Sequence, residues 1–231
     1  MKGNIFVGRS RELEALHKAL RRGSQERALL LTGESGIGKT SLLTRFWDDI
    51  RSTGSPALWI DLAKLSGLRE SSELPTALVE SLDGSTSALQ GQVASFAQAF
   101  GKAIFAAERE DATKETDSPN GERLAELWTK EFLQAFPLDK SSSGKPLIYV
   151  VLDDLDQTRS NLLISLQDEF VGKWQELGVI DSFRFVASSS QWPLQGAAVR
   201  FIESVAGQDP LLVRLPPFTE NECGELARKR L

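Results

Sequence analysis

One segment of eight residues limits what this chain can fold into more than any other feature of its sequence. Residues 33–40 read Gly-Glu-Ser-Gly-Ile-Gly-Lys-Thr and fit the pattern G-x-x-x-x-G-K-[ST]. An apolar run at residues 28–32 precedes the segment, and a helical pattern follows it at residues 40–52. A strand, a glycine-rich turn and a helix in this order predict one unit of an α/β fold.

The residue types of this segment suit phosphate binding. The glycines let the backbone curl so that successive amide N–H groups face inward beside a helix N-terminus, which forms the phosphate-binding P-loop. We expect Lys39 to place a positive charge on the β- and γ-phosphates and to act in catalysis, and Thr40 to offer Mg²⁺ a hydroxyl oxygen. The residues predicted to contact the nucleotide here are Gly33, Glu34, Ser35, Gly36, Ile37, Gly38, Lys39, Thr40 and Ser41.

A second apolar run, residues 147–152, ends in two aspartates. Because Mg²⁺ prefers carboxylate oxygen, Asp153 is the expected second metal ligand, opposite Thr40. Asp154 stands one residue further along and is the candidate general base that positions an attacking water. The alternative role for Asp154 is to cap the helix that follows.

Five short runs predict strands, at residues 28–32, 57–61, 147–152, 183–187 and 211–215. Most are apolar without alternation, which is typical of strands that are buried on both faces of a parallel sheet. Helical patterns lie between them, at residues 9–22, 40–52, 73–82, 87–107, 122–136 and 158–177, with another from residue 219. The order predicts a three-layer α/β sandwich around a five-stranded, mainly parallel sheet. Flexible connections are expected at 108–121 and 141–144.

Composition narrows the choice of partners and compartment. The chain has 27 basic and 32 acidic side chains, a net charge of −5, so nucleic acid is a possible but not a favoured partner. No apolar run approaches the roughly 20 residues of a membrane helix, and the first residues lack the apolar part of a signal peptide. We therefore expect a cytoplasmic protein with no membrane contact. Cys223, the single cysteine, is expected to be partly buried, and the five tryptophans, apart from Trp192, to lie in the core.

The P-loop, the strand ending in Asp153 and Asp154, and the opening Phe-Val-Gly-Arg-Ser-Arg-Glu-Leu at residues 6–13 together resemble the STAND ATPases. These are signal-transduction NTPases related to NB-ARC, NACHT and AAA+ domains. The resemblance implies a P-loop NTPase fold of the ASCE type. In this fold a sensor strand lies between the P-loop strand and the Walker B strand, which here is the run that ends in Asp153 and Asp154. The resemblance also implies ATP or ADP with Mg²⁺ as ligands. It also implies that Val7, Gly8 and Arg9 line the adenine pocket; the alternative is a plain lead-in with a helix cap at Ser10.

The sensor strand of this family often ends in an arginine, whereas residues 188–191 here are Ser-Ser-Ser-Gln. Ser190 and Gln191 are the candidates for sensing the γ-phosphate. Because a neutral group stabilises developing charge less than a guanidinium, we expect slow Mg²⁺-dependent ATP hydrolysis, or an arginine supplied from elsewhere. The family's lid and winged-helix domains would follow residue 222. We therefore expect residues 1–231 to be one P-loop domain from a longer multidomain protein.

The predicted function is an ATP-binding, nucleotide-controlled signalling switch that contacts its own further domains or other protomers. One alternative is an origin-recognition-like ATPase that loads onto DNA, because basic residues outnumber acidic ones in the first 30 positions. The other is a nucleotide-binding scaffold without hydrolysis. A small-molecule kinase is less favoured because the middle of the chain has few arginines for a lid. A GTPase is not supported because the guanine-reading Asn-Lys-x-Asp does not occur.

Overall fold

The computed structural model describes residues 8–21, 24–62, 73–80, 87–112, 121–136, 148–207 and 209–230. Within these ranges one sheet is formed by the strands β1 (Ala28–Thr32), β2 (Ala57–Asp61), β3 (Ile148–Asp153), β4 (Phe183–Ser189) and β5 (Leu211–Arg214). Their order across the sheet is β2-β3-β4-β1-β5, and every neighbouring pair is parallel. The predicted α/β sandwich, with β4 between β1 and β3, is confirmed.

Helices cover both faces of the sheet. They are α1 (Ser10–Leu20), α2 (Lys39–Ser52), α3 (Leu74–Glu80), α4 (Ser87–Ala112), α5 (Gly121–Ala135), α6 (Ser160–Ser165), α7 (Gly172–Glu176), α8 (Ala197–Ala206) and α9 (Glu220–Arg230). Two short 3₁₀ turns lie at Leu155–Gln157 and Ile180–Ser182. None of the helices in the described ranges is both long enough and apolar enough to cross a membrane.

The sheet separates two apolar clusters, because successive strand residues point to opposite faces. On one face, Leu29 and Leu31 of β1 pack with α1 and α2 around the buried Phe46. On the other face, Leu30 lies in a larger cluster with α3 to α8, around the fully buried Trp128. The helix that follows the P-loop therefore packs on the opposite face from the aromatic cluster.

The structure differs from the sequence expectations in three places. The single helix expected at 158–177 is divided into α6, a π-helical segment at Leu166–Val171, and α7. Phe170 and Val171 of the π-helical segment are both buried. The helix expected to end at residue 107 continues to Ala112, and Cys223 is exposed rather than partly buried. The predicted loop at 141–144 and the adenine candidate Val7 lie outside the described residues.

Candidate nucleotide-binding site

The predicted phosphate loop joins the carboxyl end of β1 to the N-terminus of α2. Its backbone requires glycine at two positions, since Gly36 and Gly38 have φ angles of 78° and 96°. The segment then enters α2 at Lys39, so the first amide groups of that helix have no partner within it. Open backbone donors at a helix N-terminus are the arrangement that binds phosphate.

Lys39 is the cationic group of this loop. Its side chain is buried, and its Nζ donates hydrogen bonds to the carbonyl oxygens of Gly33 at 2.9 Å and Glu34 at 3.0 Å. These bonds hold the ammonium group against the loop that a phosphate would enter. Thr40 and Ser41, the next two residues, are exposed at the start of α2.

Asp153 is placed at the end of β3 and is fixed from the neighbouring strand. Its side chain is 6% exposed, and its Oδ1 accepts a hydrogen bond of 2.5 Å from the Oγ of Ser188 in β4. The same Ser188 oxygen accepts a bond of 3.0 Å from the amide of Asp154. One buried hydroxyl thus connects the ends of β3 and β4 and sets the position of both aspartates.

Asp154 has an unusual backbone conformation, with φ 60° and ψ 50° in the left-handed region. It occupies the N-cap position of the 3₁₀ turn Leu155–Gln157, yet its side chain makes no capping hydrogen bond. Burial raises the pKa of its carboxyl, and the negative charges of Asp153 and Asp156 raise that pKa further. Among the described residues, the Asp154 side chain therefore does not cap this turn, and its role as a general base stays a prediction.

The end of β4 does not leave its hydroxyl groups free. Ser190 donates to Asp156 through both its amide, at 2.9 Å, and its Oγ, at 2.5 Å. Burial raises the pKa of the Asp156 carboxyl, but the hydrogen bonds to it together outweigh burial and bring that pKa below its ordinary value. Ser189 Oγ donates to the carbonyl oxygen of Gln191 at 2.9 Å. The side chain of Gln191 is exposed, and it keeps an amide donor at this position.

The oxygen donors at this edge fit Mg²⁺. Thr40 and Asp153, the predicted ligands, offer a hydroxyl and a carboxylate, which are the hard donors that this cation prefers. Asp61 pairs with Asp153 in register across β2 and β3 and adds to the negative field. Within the described ranges, no three His, Cys, Asp or Glu side chains are grouped to hold a metal by themselves. When bound together with a nucleotide, Mg²⁺ supplies positive charge to the phosphate oxygens.

The opening segment packs against the loop and the end of the sheet. Arg9, a predicted adenine contact, is buried with φ 62°, and it donates to the carbonyl oxygens of Pro216 at 2.6 Å and Ile37 at 3.4 Å. Its guanidinium lies 4.3 Å from the centre of the Phe218 ring. A Cβ atom added at Gly8 would come within 2.5 Å of the Glu222 carboxylate. The structure thus brings Arg9 to the P-loop, with its side chain committed to protein contacts, and places Gly8 beside Glu222.

A protein-family model matches a region of the chain that contains these residues. The model of the AAA ATPase domain matches residues 5–170, which include the opening segment, the P-loop and the strand ending in Asp153. This match covers more than half of the chain. The chain belongs to the AAA ATPase domain family. Comparison with curated protein sequences gives no match.

Several solved structures are similar in fold to this AAA ATPase domain. The Aeropyrum pernix ORC2 protein, solved in ADPNP-ADP complexes, has a TM-score of 0.53 at 14% identity over 96% of this chain and 51% of that chain. Cdc6p from Pyrobaculum aerophilum has a TM-score of 0.51 at 14% identity over 98% and 51%. A DNA replication initiation factor has a TM-score of 0.50 at 15% identity, over 99% of this chain and 52% of that chain. The AAA ATPase domain thus shares their fold and spans about half their length.

Sequence reasoning did not identify Ser188 or Asp156. Ser188 is fully buried and joins Asp153 to the amide of Asp154, while Asp156 binds Ser190. The position of Ser188 directly after the apolar run at residues 183–187 was the available signal for it. The contact between Asp156 and Ser190 spans 34 residues of sequence, so no local pattern predicts it.

Proposed function

We propose that this AAA ATPase domain binds ATP with Mg²⁺ and hydrolyses it slowly. The observation that carries the proposal is the arrangement at the carboxyl edge of the sheet. There the Lys39 ammonium donates hydrogen bonds to carbonyl oxygens of the P-loop. Strand β3, next to β4, ends in Asp153 and is followed by Asp154, whose carboxylate makes no capping hydrogen bond in the described part of the chain. In this assignment Lys39 and the loop amides hold the phosphates, Thr40 and Asp153 hold Mg²⁺, and Asp154 orients the attacking water.

Slow hydrolysis is part of the proposal because the end of β4 is neutral. Ser190 shares its hydroxyl proton with Asp156, which leaves its oxygen able to accept a hydrogen bond from water. Gln191 can donate an uncharged hydrogen bond to a phosphate. Neither group compensates the charge that spreads over the γ-phosphoryl oxygens as the bond to the leaving group breaks.

The test compares binding with turnover. Calorimetric titration with Mg-ATP measures affinity, and released phosphate measures hydrolysis. We expect Lys39→Ala to abolish binding and Asp154→Asn to retain binding but stop hydrolysis. Lys102→Ala and Asp168→Asn change the same residue types at exposed positions elsewhere and serve as matched controls. Equal loss of binding in K39A and D154N contradicts the division of roles, and a wild-type chain that binds no nucleotide contradicts the function.

We also propose that the bound nucleotide acts as a switch of the STAND type, in which ADP and ATP states differ in their association with neighbouring domains or protomers. The overall acidity supports a protein partner over DNA, and the neutral end of β4 supports slow turnover. Denaturing freshly purified protein and identifying what it releases is the first measurement. About one ADP per chain supports a resting switch, and light scattering with ADP or a non-hydrolysable ATP analogue then tests nucleotide-dependent association.

DNA is the alternative partner. Two of the basic residues in the first 30 positions make internal hydrogen bonds. Arg9 donates to the Pro216 carbonyl oxygen and the Glu12 carboxylate, and Arg27 donates to the Ala206 carbonyl oxygen and the Asp181 carboxylate. These internal contacts reduce the charge available to phosphates on this part of the surface. We expect no retention on a duplex DNA column at low salt. Retention that weakens steeply with added salt favours the DNA-loading alternative.

A further inference from the structure

The serine hydroxyls at the end of β4 cannot serve a phosphate without losing an existing bond. Ser188, Ser189 and Ser190 donate respectively to the Asp153 carboxylate, the Gln191 carbonyl and the Asp156 carboxylate, at 2.5, 2.9 and 2.5 Å. A hydroxyl has one proton to donate. A γ-phosphate at this edge must therefore find charged donors on another element.

Strand β5, which pairs with β1 on the side away from β4, ends in a positively charged residue. Arg214 is the last residue of β5 and pairs in register with Thr32, the residue that directly precedes the P-loop. Adjacent strands are about 4.8 Å apart, so Arg214 stands one strand spacing from the start of the loop. Its side chain is exposed, and within the described part of the chain no hydrogen bond or ion pair engages its guanidinium.

Arg214 shares a cavity with the P-loop. This cavity, of about 480 Å³, is lined by Arg214 together with Gly33, Glu34 and Ser190. The carbonyl oxygens of Gly33 and Glu34 accept hydrogen bonds from the Lys39 ammonium, so the two loop residues that line the cavity with Arg214 also hold a second cation. A group with several negative oxygens is the chemistry that two such cations attract.

A second observation indicates that a polar ligand belongs in this cavity. Thr32, which also lines it, is 2% exposed, and its Oγ1 has no hydrogen-bond partner among the residues that the structure describes. Because an unpartnered buried hydroxyl is costly, a polar atom entering the cavity would be favoured there. The exposed carboxylate of Glu34 opposes an anion at the same place, so its charge lowers the affinity that the two cations provide.

We propose that Arg214 is the arginine, supplied by this chain itself, that contacts the γ-phosphate of ATP. The inference rests on the proposed ATP function. It assigns to the end of β5 the positive charge that the end of β4 lacks. A guanidinium at this position contacts ATP through the γ-phosphate and contributes little to ADP, so Arg214 distinguishes the two nucleotides.

The test is the ratio of two affinities, those for a non-hydrolysable ATP analogue and for ADP, each with Mg²⁺. We expect Arg214→Ala to weaken binding of the analogue by about tenfold or more, the effect of losing one charge-assisted hydrogen bond, while the affinity for ADP changes little. Arg214→Lys should recover part of the loss. Arg200→Ala, an exposed arginine on α8 outside the cavity, should change neither affinity. Glu34→Gln should strengthen binding of the analogue.

Three results separate the hypotheses. A wild-type chain that binds neither nucleotide overturns the proposed function, and the assignment of Arg214 with it. Wild-type binding together with an unchanged ratio in R214A overturns the assignment alone. Equal weakening of both nucleotides also overturns it, because the residue would then act on the shared phosphates or on the fold. Thermal unfolding without nucleotide, measured for R214A and Arg214→Gln, identifies any loss of folding.

Discussion

Asp154 combines two features that oppose stability. Its left-handed backbone is disfavoured for a residue with a Cβ atom, and its carboxyl is desolvated beside other aspartates. Because the folded state raises its pKa, the folded chain binds the Asp154 proton more tightly than the unfolded chain does. Stability therefore falls as the pH rises above the ordinary value of 3.8, and the penalty is fully present once the pH exceeds the raised pKa of the folded state.

We predict that Asp154→Asn raises the thermal stability at neutral pH while it stops hydrolysis. Asparagine and aspartate both tolerate the left-handed conformation, but asparagine carries no charge. The gain in stability of D154N therefore measures the effect of the charge. Asp154→Ala keeps the unfavourable backbone and should be about 1 kcal/mol less stable than D154N. Thermal unfolding at neutral and acidic pH tests this, and the gain of D154N should shrink on acidification. A D154N variant less stable than wild type at neutral pH would refute the prediction.

The sequence predicted Lys39, Thr40, Asp153 and Asp154 because each stands at a fixed spacing within a local pattern. It did not predict what these residues contact. Ser188 and Arg214 reach the site through strand order and register, which bring residues far apart in sequence to one edge. Chain-local patterns contain no such information.

At the scale of elements, Ser188 connects two strands. Its hydroxyl is fully buried, donates to Asp153 of β3 and accepts from the amide of Asp154. We predict that Ser188→Ala costs about 1–3 kcal/mol, because it leaves both partners without this bond. Urea unfolding measures the cost. Ser204→Ala, which removes a hydroxyl bonded only to its own helix, is the matched control and should cost less.

Arg9 connects three further segments, since it contacts its own helix, the P-loop at Ile37 and the chain after β5 at Pro216. We predict that Arg9→Ala destabilises the fold by about 2–3 kcal/mol and weakens nucleotide binding, because the P-loop and residues 216–222 lose a common support. Arg9→Lys should not rescue it, since an ammonium cannot make the planar set of contacts. Hydrogen exchange should rise at residues 216–222. Unchanged exchange there would show that these segments are held independently.

The α/β class was predictable because apolar runs alternate with helical patterns, whereas the place of β4 between β1 and β3 was implied by the resemblance to the STAND ATPases. Element boundaries were less predictable. The π-helical segment at Leu166–Val171 interrupts a pattern that satisfies an ordinary helix, and its Phe170 and Val171 are both buried in the larger apolar cluster. Tertiary packing of this kind overrides the local periodicity on which the single helix was based.

At the scale of the whole molecule, the sheet separates the support of the site from most of the core. Phe46 of α2 is fully buried on the face behind the P-loop, whereas Trp128 is fully buried in the aromatic cluster on the opposite face. Trp128 packs 4.7 Å from Phe132 and 5.4 Å from Phe96 between ring centres. Its indole Nε1 finds no hydrogen-bond partner in the described ranges.

This division predicts that stability and nucleotide affinity respond to different faces. Phe46→Ala and Trp128→Ala should each cost about 3–5 kcal/mol, because each leaves a large cavity. Only F46A should also weaken nucleotide binding, since it loosens the helix that carries Lys39 and Thr40. Trp128→Phe should cost less than W128A, because it keeps a ring and removes an N–H group without a partner. Affinities measured well below each unfolding temperature test the division; equal loss of affinity in W128A and F46A would show that the sheet transmits strain between its faces.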